Sequence, residues 1–283
     1  MSATVATDTA LEREINTRRV EERQPARDFF AEWPAGQGAP IAVVIPAYNE
    51  EPTVAAVVSH IPREFCGLAV DVIVVDDGSD DRTTEEARSA GALVCRVPVN
   101  RGQGLIFQLG YWLAAQRGSE IIATTDADAQ YDETELERVI QPIVDGRADF
   151  VNGSRRLGTE LNTDPVRHAG VIFFGLVIST LMRQRITDPA SGLRAFRTVI
   201  PQTITLQQTQ YQTSEVLIAT RFNGFKIIEV GTTMRDRPEG ATLTKKGPNL
   251  LYGMRFARAI LLTFMRERKA ARTRERSSKT QNS

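Results

Sequence analysis

The sequence predicts an α/β protein in which helices flank one doubly wound, mostly parallel sheet within a single domain. Apolar runs rich in Val and Ile, without polar alternation, indicate strands that are buried on both faces. Segments with helical spacing of apolar residues separate these runs, and alternating strands and helices are typical of a parallel sheet. Each run ends in a polar turn, and ligands of such sheets bind outside the carboxyl ends of the strands.

The predicted elements follow one another regularly along the chain. The first strand begins at Ile41, and the helix Glu51–Ile61 follows it with Pro52 in its first turn, where proline is favoured. The next strand begins at Val70 and stops at Asp76, because acidic residues and glycine end its apolar run. The later elements are the helix Asp81–Ala90, the strand Ala92–Val97, the helix Arg101–Ala115, the strand Ile121–Thr125, and the strands Ala148–Val151 and Ile227–Val230.

Two further helices are more apolar than the others. A helix that spans a bilayer needs about 20 apolar residues, and Val171–Met182, which is closed by Arg183 and Arg185, is shorter. The segment Leu250–Met265 interleaves apolar residues with arginines. Both segments are interpreted either as helices that cover the sheet or as amphipathic helices that lie on an anionic membrane surface.

Composition excludes some classes of protein and divides the chain. Lys plus Arg and Asp plus Glu number 35 each, which gives no charge bias toward nucleic acid. The two cysteines are not spaced as metal ligands, so we expect the reduced thiols of a cytoplasmic protein, and the first ten residues lack the apolar stretch of a secretory signal. We expect a flexible tail over 1–38 with one helix at about 9–22, one domain over 39–265, and a basic tail over 266–283.

The run Ile121–Gln130 carries the most informative chemistry of the chain. Its apolar strand ends at Thr125, and Asp126 and Asp128 follow at positions i and i+2. Because successive residues of a strand point to opposite faces, these two carboxylates converge. Converging carboxylates favour a cation, and Mg²⁺ is held by one or two carboxylates together with water and substrate phosphates. The pattern predicts a metal–diphosphate site, and a solvated turn after the strand is the alternative.

Six ordered motifs carry a resemblance to a known family. They are PAYNE, VVDDGS, NRGQG, DADAQ, NGSR and DPASGLRAF, and the resemblance runs from about Ile41 to about Tyr252. The set resembles glycosyltransferase family 2, and most of all its dolichyl-phosphate mannose synthase and polyprenyl-phosphate glycosyltransferase group. The resemblance implies a GT-A fold and a metal-dependent, inverting transfer of a sugar from a nucleotide sugar, with Mg²⁺ or Mn²⁺ as cofactor. It also implies a polyprenyl phosphate as acceptor, met by peripheral contact at the inner face of the cell membrane.

The resemblance assigns the residues that bind the nucleotide and its diphosphate. Asp77 resembles the acid that bonds the nucleobase or ribose, and Arg155 resembles a phosphate-binding arginine. Arg237 resembles a phosphate ligand in a basic lid loop, Thr233–Lys246, that closes over the diphosphate. The full set is Pro46, Tyr48, Glu50, Asp77, Gln103, Asp126, Arg155, Arg237 and Lys245.

This chain departs from the family pattern at two places, and some of its site residues have plainer interpretations. Many relatives carry a lysine near Gln103, and this chain does not. The loop is longer between Gly240 and Lys245 than in relatives, so the exact lysine is left open. Glu50 also suits the start of the following helix, and Asp77 also suits a turn.

The resemblance further assigns metal, catalytic and acceptor residues. The metal ligands are Asp126, Asp128 and Gln130. The catalytic residues are Asp128, Asp188 and Glu215, and the acceptor residues are Arg167, Ser191 and Arg194. Glu215 is a general base if the acceptor is a hydroxyl group, but an acceptor phosphate is already ionised and needs none. In that case Glu215 orients the sugar or an arginine, while the alternative for Asp188 is a turn acid before Pro189.

Three other functions stay open on the sequence alone. A glycosyltransferase of the same fold could act on a soluble small-molecule acceptor, such as a natural-product intermediate. A sugar-phosphate nucleotidylyltransferase would be expected to carry a glycine-rich basic loop after the first strand, and PAYNEE has neither feature. A non-catalytic nucleotide-sugar-binding protein is disfavoured by the set of Asp126, Asp128 and Arg237. The nucleobase, the sugar, the anomeric configuration and the oligomeric state are not specified by these motifs.

Overall fold

A mixed sheet forms the centre of the molecule, which the computed structural model describes over residues 2–160, 165–235 and 249–281. Its strands are β1 (Ile41–Ala47), β2 (Glu64–Phe65), β3 (Leu68–Asp76), β4 (Leu93–Arg96), β5 (Ile121–Thr124), β6 (Phe150–Glu160), β7 (Arg194–Arg197) and β8 (Ile227–Met234). Within the described residues they lie in the order β4-β3-β1-β5-β7-β6-β8, and β2 forms a short hairpin with the start of β3.

Helices connect the strands and cover the sheet. They are α1 (Ser2–Thr17), α2 (Val20–Glu32), α3 (Val54–His60), α4 (Thr83–Ser89), α5 (Gln103–Arg117), α6 (Leu136–Val144), α7 (Pro165–Met182), α8 (Val199–Thr203), α9 (Gln212–Phe222) and α10 (Asn249–Gln281), with a short 3-10 helix at Glu133–Glu135. The predicted alternation of strands and helices from β1 to β5 is confirmed, with small shifts at the boundaries. The mostly parallel α/β architecture is confirmed as well.

Strand β7 runs against its neighbours, which the sequence did not predict. It pairs antiparallel with both β5 and β6, whereas β1 is parallel to β3 and β5, and β6 is parallel to β8. Arg194 at its amino end lies opposite Thr124 of β5 and Asn152 of β6. The reversal brings the loop before β7 to the edge where the parallel strands end, which is the edge where ligands of such sheets bind.

Both faces of the sheet are buried, as predicted for its strands. Consecutive residues of β1 enter two separate apolar layers, with Ala42 and Val44 in one and Val43 and Ile45 in the other. The first layer is completed by α1, α2, α5, α7, α8, α9 and α10, and the second by α3, α4 and α6. The central strands are therefore held rigidly from both sides, so the turns at their ends are well positioned.

The amino-terminal segment is not a simple flexible tail, and the predicted single helix is two helices. Helices α1 and α2 replace it, and Phe29 and Phe30 are only 2% and 8% exposed. The ring of Phe30 meets Trp112 of α5 edge-on, with 5.6 Å between centroids. The apolar residues that make this contact lie in a segment that is otherwise charged, which is why composition predicted a solvated tail.

The predicted boundary between domain and basic tail at residue 266 is also absent from the structure. Helix α10 is continuous from Asn249 to Gln281 and crosses that position without a break. Glu267 is 5% exposed, so burial against the domain continues past the predicted boundary. None of the helices within 2–160, 165–235 and 249–281 has the length and apolar character needed to cross a membrane.

Candidate active site

The turns after β1 and β3 are bonded to each other at the carboxyl edge of the sheet. The backbone N–H of Asn49 donates to Ser79 Oγ at 2.9 Å, and Asn49 Oδ1 accepts the N–H of Asp80 at 2.9 Å. The N–H of Glu50 donates to Thr83 Oγ1 at 2.8 Å. Asn49 itself adopts a left-handed backbone with φ of 55°, which asparagine tolerates better than most residues. Two of the predicted polar turns therefore form one surface.

The predicted residues of the first turn differ in exposure. Pro46 lies within β1, beside Val75 of β3, and Tyr48 just beyond it is 38% exposed. The carboxylate of Glu50 accepts the Thr53 hydroxyl at 3.0 Å, and its carbonyl accepts the N–H of Thr53. Glu50 thus holds the turn that precedes α3, whose N-cap residue is Thr53, while the exposed ring of Tyr48 is accessible to a ligand at the edge.

Asp77 holds the glycine turn 100–104 in place. Its two carboxylate oxygens accept the backbone N–H groups of Arg101 at 2.6 Å and of Gly102 at 2.8 Å. Burial raises the pKa of Asp77 to about 6, because these two N–H donors offset the cost of removing the charge from water only in part. Asp77 therefore positions the turn that precedes α5, and its predicted bond to a nucleobase or ribose stays a prediction.

The glycine turn packs closely on the segment before α9. The N–H of Gly104 donates to the Thr209 carbonyl at 2.8 Å. A Cβ at position 104 would lie 2.4 Å from the Gln208 carbonyl oxygen, so only glycine fits there. Gly102 has a φ of 92°, which also requires glycine. Between them, Gln103 extends its amide across to Asp126, where Nε2 donates to Oδ1 at 3.2 Å. The glycine turn and the carboxylate motif therefore meet at this edge of the sheet, a contact that the sequence did not predict.

Asp126 lies directly over the loop before β7. A Cβ at Gly192 would lie 2.5 Å from Asp126 Oδ2, so this glycine makes room for the carboxylate. The Gly192 N–H donates to the hydroxyl of Tyr131 at 2.9 Å. Burial raises the pKa of Tyr131 to about 12, and the nearby charge of Asp126 adds to this, so the hydroxyl stays protonated at neutral pH.

Asp128 is 5% exposed and stands at a strained turn. The next residue, Ala129, has a φ of 55°, a left-handed conformation that costs an alanine about 1 kcal/mol. This turn lets the N–H of Gln130 donate back to Asp128 Oδ1 at 3.2 Å. The Gln130 amide Nε2 donates to the Arg235 carbonyl at 3.2 Å, which ties the motif to the end of β8. Non-glycine strain of this kind concentrates at functional sites.

The carboxylate pair suits a divalent cation that takes some of its ligands from the protein and the others from a substrate. In the part of the chain that the structure describes, no three or more His, Cys, Asp or Glu side chains gather as a metal site. Two carboxylates such as Asp126 and Asp128 are enough for Mg²⁺, which typically binds one or two carboxylates and fills its other coordination positions with water and phosphate oxygens. The chemistry of the pair therefore fits the predicted metal, and the metal role of Gln130 stays a prediction.

A buried ion pair joins β6 to the loop before β7. The guanidinium of Arg155 donates from Nε and Nη2 to the two carboxylate oxygens of Asp188, at 2.6 and 2.7 Å. Their side chains are 1% and 0% exposed. Neither faces solvent, which differs from the expected direct contacts with phosphate and sugar. In this structure the buried pair supports the site indirectly, because it fixes the segment that leads to Gly192.

The predicted acceptor residues are placed differently from one another. Ser191 is fully buried, and its hydroxyl donates to the Leu193 carbonyl at 3.4 Å. Arg194 is 3% exposed, burial lowers its pKa, and Nη1 donates to the Thr213 carbonyl at 2.8 Å. Its Nε has no hydrogen-bond partner within the described chain. Arg167 belongs to α7, but its side chain lies outside what the structure describes, as do the whole residues Arg237 and Lys245.

Glu215 is buried, with 1% of its surface exposed, and its carboxylate accepts hydrogen bonds from backbone N–H groups. Its carboxylate accepts the N–H groups of Gln207 at 3.0 Å and Gln208 at 2.8 Å. Arg266 of α10 donates to the same carboxylate at 2.9 Å. These contacts hold the segment on which Gly104 packs. The geometry therefore gives Glu215 a positioning role, which differs from a base that faces the acceptor.

Three residues of the site were missed on the sequence. Glu229 of β8 accepts the N–H of Thr187 at 2.7 Å and of Asp188 at 3.2 Å, so it fixes the loop before β7. Asn152 also bonds that loop, through Nδ2 to the Asp188 carbonyl at 2.8 Å. Tyr131 is the third. An acid within an apolar strand, as in KIIEVGT, is a signal that could have identified Glu229, because buried charges need partners.

Comparisons with known proteins identify the family and the fold that this chain resembles. A family model described as glycosyl transferase family 2 matches residues 42–204. A protein of Haloferax volcanii named dolichyl-phosphate hexose transferase is 34% identical over 197 residues, which cover 70% of this chain and 83% of that protein. A protein of Methanococcus voltae named UDP-N-acetylglucosamine–dolichyl-phosphate N-acetylglucosaminyltransferase is 30% identical, over 67% of this chain and 83% of that protein.

Among solved structures, the fold is similar to that of glucosyl-3-phosphoglycerate synthase from Mycobacterium tuberculosis, crystallised with Mn²⁺, uridine diphosphate and glucosyl-3-phosphoglycerate. The TM-score is 0.62 at 22% identity, over 86% of this chain and 82% of that one. This similarity supports the fold that the sequence motifs imply.

Proposed function

Because the chain belongs to glycosyl transferase family 2, we propose that it moves a sugar from a nucleotide sugar to a polyprenyl phosphate at a membrane surface. We infer that the reaction depends on a divalent metal and inverts the anomeric carbon. The names of the relatives from Haloferax volcanii and Methanococcus voltae, which specify dolichyl phosphate, support the choice of acceptor.

One contact carries the proposal. The bond of 3.2 Å between Gln103 Nε2 and Asp126 Oδ1 joins the glycine turn to the carboxylate motif. A helix amino terminus preceded by glycines offers backbone N–H groups to phosphate, and paired carboxylates offer oxygens to a cation. A nucleoside diphosphate is a ligand that needs both kinds of group at once, so this junction supports a donor site.

The residues where the glycine turn meets the carboxylate motif have different roles in the proposed transfer. Asp126 and Asp128 would hold the divalent ion, which supplies neutralisation of the charge that develops on the leaving diphosphate. Gln103 and the rest of the glycine turn 100–104, the donor turn of the proposed site, would orient the diphosphate with neutral hydrogen bonds. Gly192 keeps the space over Asp126 open, and the buried Arg155–Asp188 pair fixes the loop that carries Gly192.

The proposed acceptor needs no proton to be removed. An oxygen of the ionised acceptor phosphate forms the new bond to the anomeric carbon as the bond to the nucleoside diphosphate breaks. Attack from the side opposite the leaving group inverts that carbon. The enclosure of Glu215 by Gln207, Gln208 and Arg266 supports such a reaction, because a hydroxyl acceptor would call for an accessible base.

Two exposed apolar helix faces support contact with a membrane. In α7, Phe173 and Leu176 are 59% and 68% exposed. In α10, Met254, Leu261, Leu262 and Met265 are between 45% and 61% exposed. Exposed Arg255 and Arg258 flank these residues in α10. Apolar faces edged by arginine suit a helix that lies at an anionic lipid surface.

The test is a transfer assay with a panel of donors. The purified protein is incubated with Mn²⁺ or Mg²⁺ and each of several nucleotide sugars, with and without a short-chain polyprenyl phosphate, and products are identified by mass spectrometry. A lipid-linked sugar that forms only with metal supports the proposal. Slow hydrolysis of one donor without a lipid product would keep the glycosyltransferase activity and replace the acceptor by a soluble molecule.

A further inference from the structure

A groove of about 470 Å³ lies beside helix α7, away from the carboxylate motif. One wall is the exposed side of α7, with Ile172 and Leu176, and the other is the segment 183–187 that leads to Asp188. The two walls approach closely because residue 175 is a glycine, whose absent Cβ would lie 3.2 Å from the Ile186 carbonyl oxygen. The groove is therefore a fixed feature of the fold.

The charge of the groove has one sign among the residues that the structure describes. These include three arginines in its lining, Arg156, Arg183 and Arg185, and no acidic residue. The side chains of Arg183 and Arg185 are exposed and form no hydrogen bond or ion pair with the part of the chain that the structure describes. Guanidinium forks match phosphate oxygens in geometry as well as in charge. The rim of the groove is thus prepared for a phosphate group.

The backbone at Arg183 adds a second observation. This residue ends α7 in a left-handed conformation with φ of 51°, at a position where glycine is usual. An L-residue other than glycine costs about 1 kcal/mol there. A glycine at position 183 would relieve this strain, but the chain has an arginine there, at the rim of the groove. Strain of this kind marks functional positions.

The apolar wall decides which phosphate compound suits the groove. Leu176 and Ile172 are 68% and 44% exposed, and the neighbouring Phe173 is 59% exposed. A soluble phosphate would leave this surface in water, whereas a lipid would cover it with hydrocarbon while its headgroup meets the arginines. The combination fits an amphiphile with an anionic head.

We propose that the groove between α7 and residues 183–187 binds the headgroup of an anionic membrane phospholipid and so holds this face of the enzyme on the bilayer. The inference rests on the proposed membrane function and adds a specific lipid contact to it. The inner wall of the groove is bonded to the site, because the hydroxyls of Thr187 and Ser154 lie 2.6 Å apart and Thr187 precedes the buried Asp188. A lipid bound here would lie beside the loop that reaches Gly192.

The test measures sedimentation with vesicles of phosphatidylcholine alone or mixed with phosphatidylglycerol. The double variant Arg183→Gln/Arg185→Gln should lose about thirtyfold in partition to the mixed vesicles, since each basic residue near an anionic surface contributes about 1 kcal/mol. The matched control is Arg82→Gln/Arg138→Gln, which removes the same charge. Arg82 lies at the start of α4 and Arg138 lies in α6, and both helices cover the face of the sheet opposite to α7. Leu176→Ser should weaken binding to both kinds of vesicle.

A second measurement separates this inference from the proposed function. Transfer to a short-chain polyprenyl phosphate is assayed in detergent, where no bilayer is present, and the double variant should keep the wild-type KM for the acceptor. A raised KM would assign the groove to the acceptor and overturn the phospholipid assignment. Equal loss of vesicle binding in both double variants, or no loss in either, would also overturn it, whether or not transfer is observed.

Discussion

Arg266 of α10 donates to the buried carboxylate of Glu215 in α9 at 2.9 Å, and the same carboxylate accepts two backbone N–H groups from residues 207 and 208. The next residue, Thr209, accepts the N–H of Gly104 in the donor turn. The long C-terminal helix is thus bonded, through one acid, to the segment on which the donor turn packs.

Glu215→Gln should destabilise the protein and weaken donor binding. An amide cannot accept all of these bonds, and breaking a buried pair costs about 3–5 kcal/mol. Urea unfolding gives the change in stability, and initial rates give KM for the nucleotide sugar, which should rise while kcat changes little. The control Arg272→Gln removes an exposed arginine from the same helix. A large fall in kcat with unchanged KM and stability would instead identify Glu215 as a base.

Asp128→Asn should abolish metal-dependent transfer in a folded protein. The substitution keeps the size of the side chain but removes the charge that would hold the divalent ion. Circular dichroism and the unfolding midpoint should match the wild type, and product formation should not respond to added Mn²⁺. The exposed Asp145→Asn serves as the control for the loss of one negative charge. Near-normal turnover in Asp128→Asn would remove this residue from the metal site.

Gly192→Ala should reduce turnover about 100-fold, because small displacements of reacting groups cost about that much. The added methyl would lie 2.5 Å from Asp126 Oδ2 and must push the carboxylate aside. Gly170→Ala in α7 is the matched control, since nothing lies within 4 Å of its Cβ position. Steady-state rates at saturating metal compare the two variants. Equal rates would show that the position of Asp126 is not critical.

Stability should fall as pH rises through the titration of Asp77. Burial raises the pKa of its carboxyl to about 6, so the folded protein binds this proton more tightly than the unfolded chain does. The contribution to the free energy of unfolding is present below about pH 4 and is lost as pH rises through about 6. Between these limits the wild type should lose up to about 3 kcal/mol relative to Asp77→Asn in urea titrations. Parallel pH profiles of the two proteins would contradict the assignment.

Phe29→Ala should lower the free energy of unfolding by about 3–5 kcal/mol, as for other buried aromatic side chains. Its ring is 2% exposed and contacts Trp33 at 5.0 Å between centroids. Val20→Ala in the same helix is the control, because Val20 is 72% exposed and should cost little. Thermal or urea unfolding measures both. If the two variants are equally stable, residues 20–32 do not pack on the domain in solution.

The sequence predicted the features that local pattern encodes. The strands around Val44 and Val74 are apolar without alternation, and the polar turns after them mark the edge where a parallel sheet binds ligands. The family resemblance assigned both Gln103 and Asp126 to the diphosphate site, and only the fold shows that their side chains are bonded.

Features that depend on tertiary contacts were not predicted. The direction of the four-residue strand at Arg194 depends on how the chain returns to the sheet, and no local pattern records it. The burial of Glu215, Asp188 and Arg155 was missed for a related reason. Charged side chains at motif positions suggest contact with a substrate, and only the fold shows that their partners are Arg266, each other and backbone N–H groups.

The contact between Gly104 and Thr209 crosses the end of the family match at residue 204. A chimera that joined residues 42–204 of this chain to the remainder of a relative would therefore exchange one side of the donor turn and keep the other. The carbonyls at 208 and 209 leave no space for a Cβ at position 104, so the two sides must be compatible to within a few tenths of an ångström. Exchange of residues 42–204 alone would then yield hybrids with a poorly formed donor turn. A segment that transfers donor specificity between relatives would have to extend at least to Glu215.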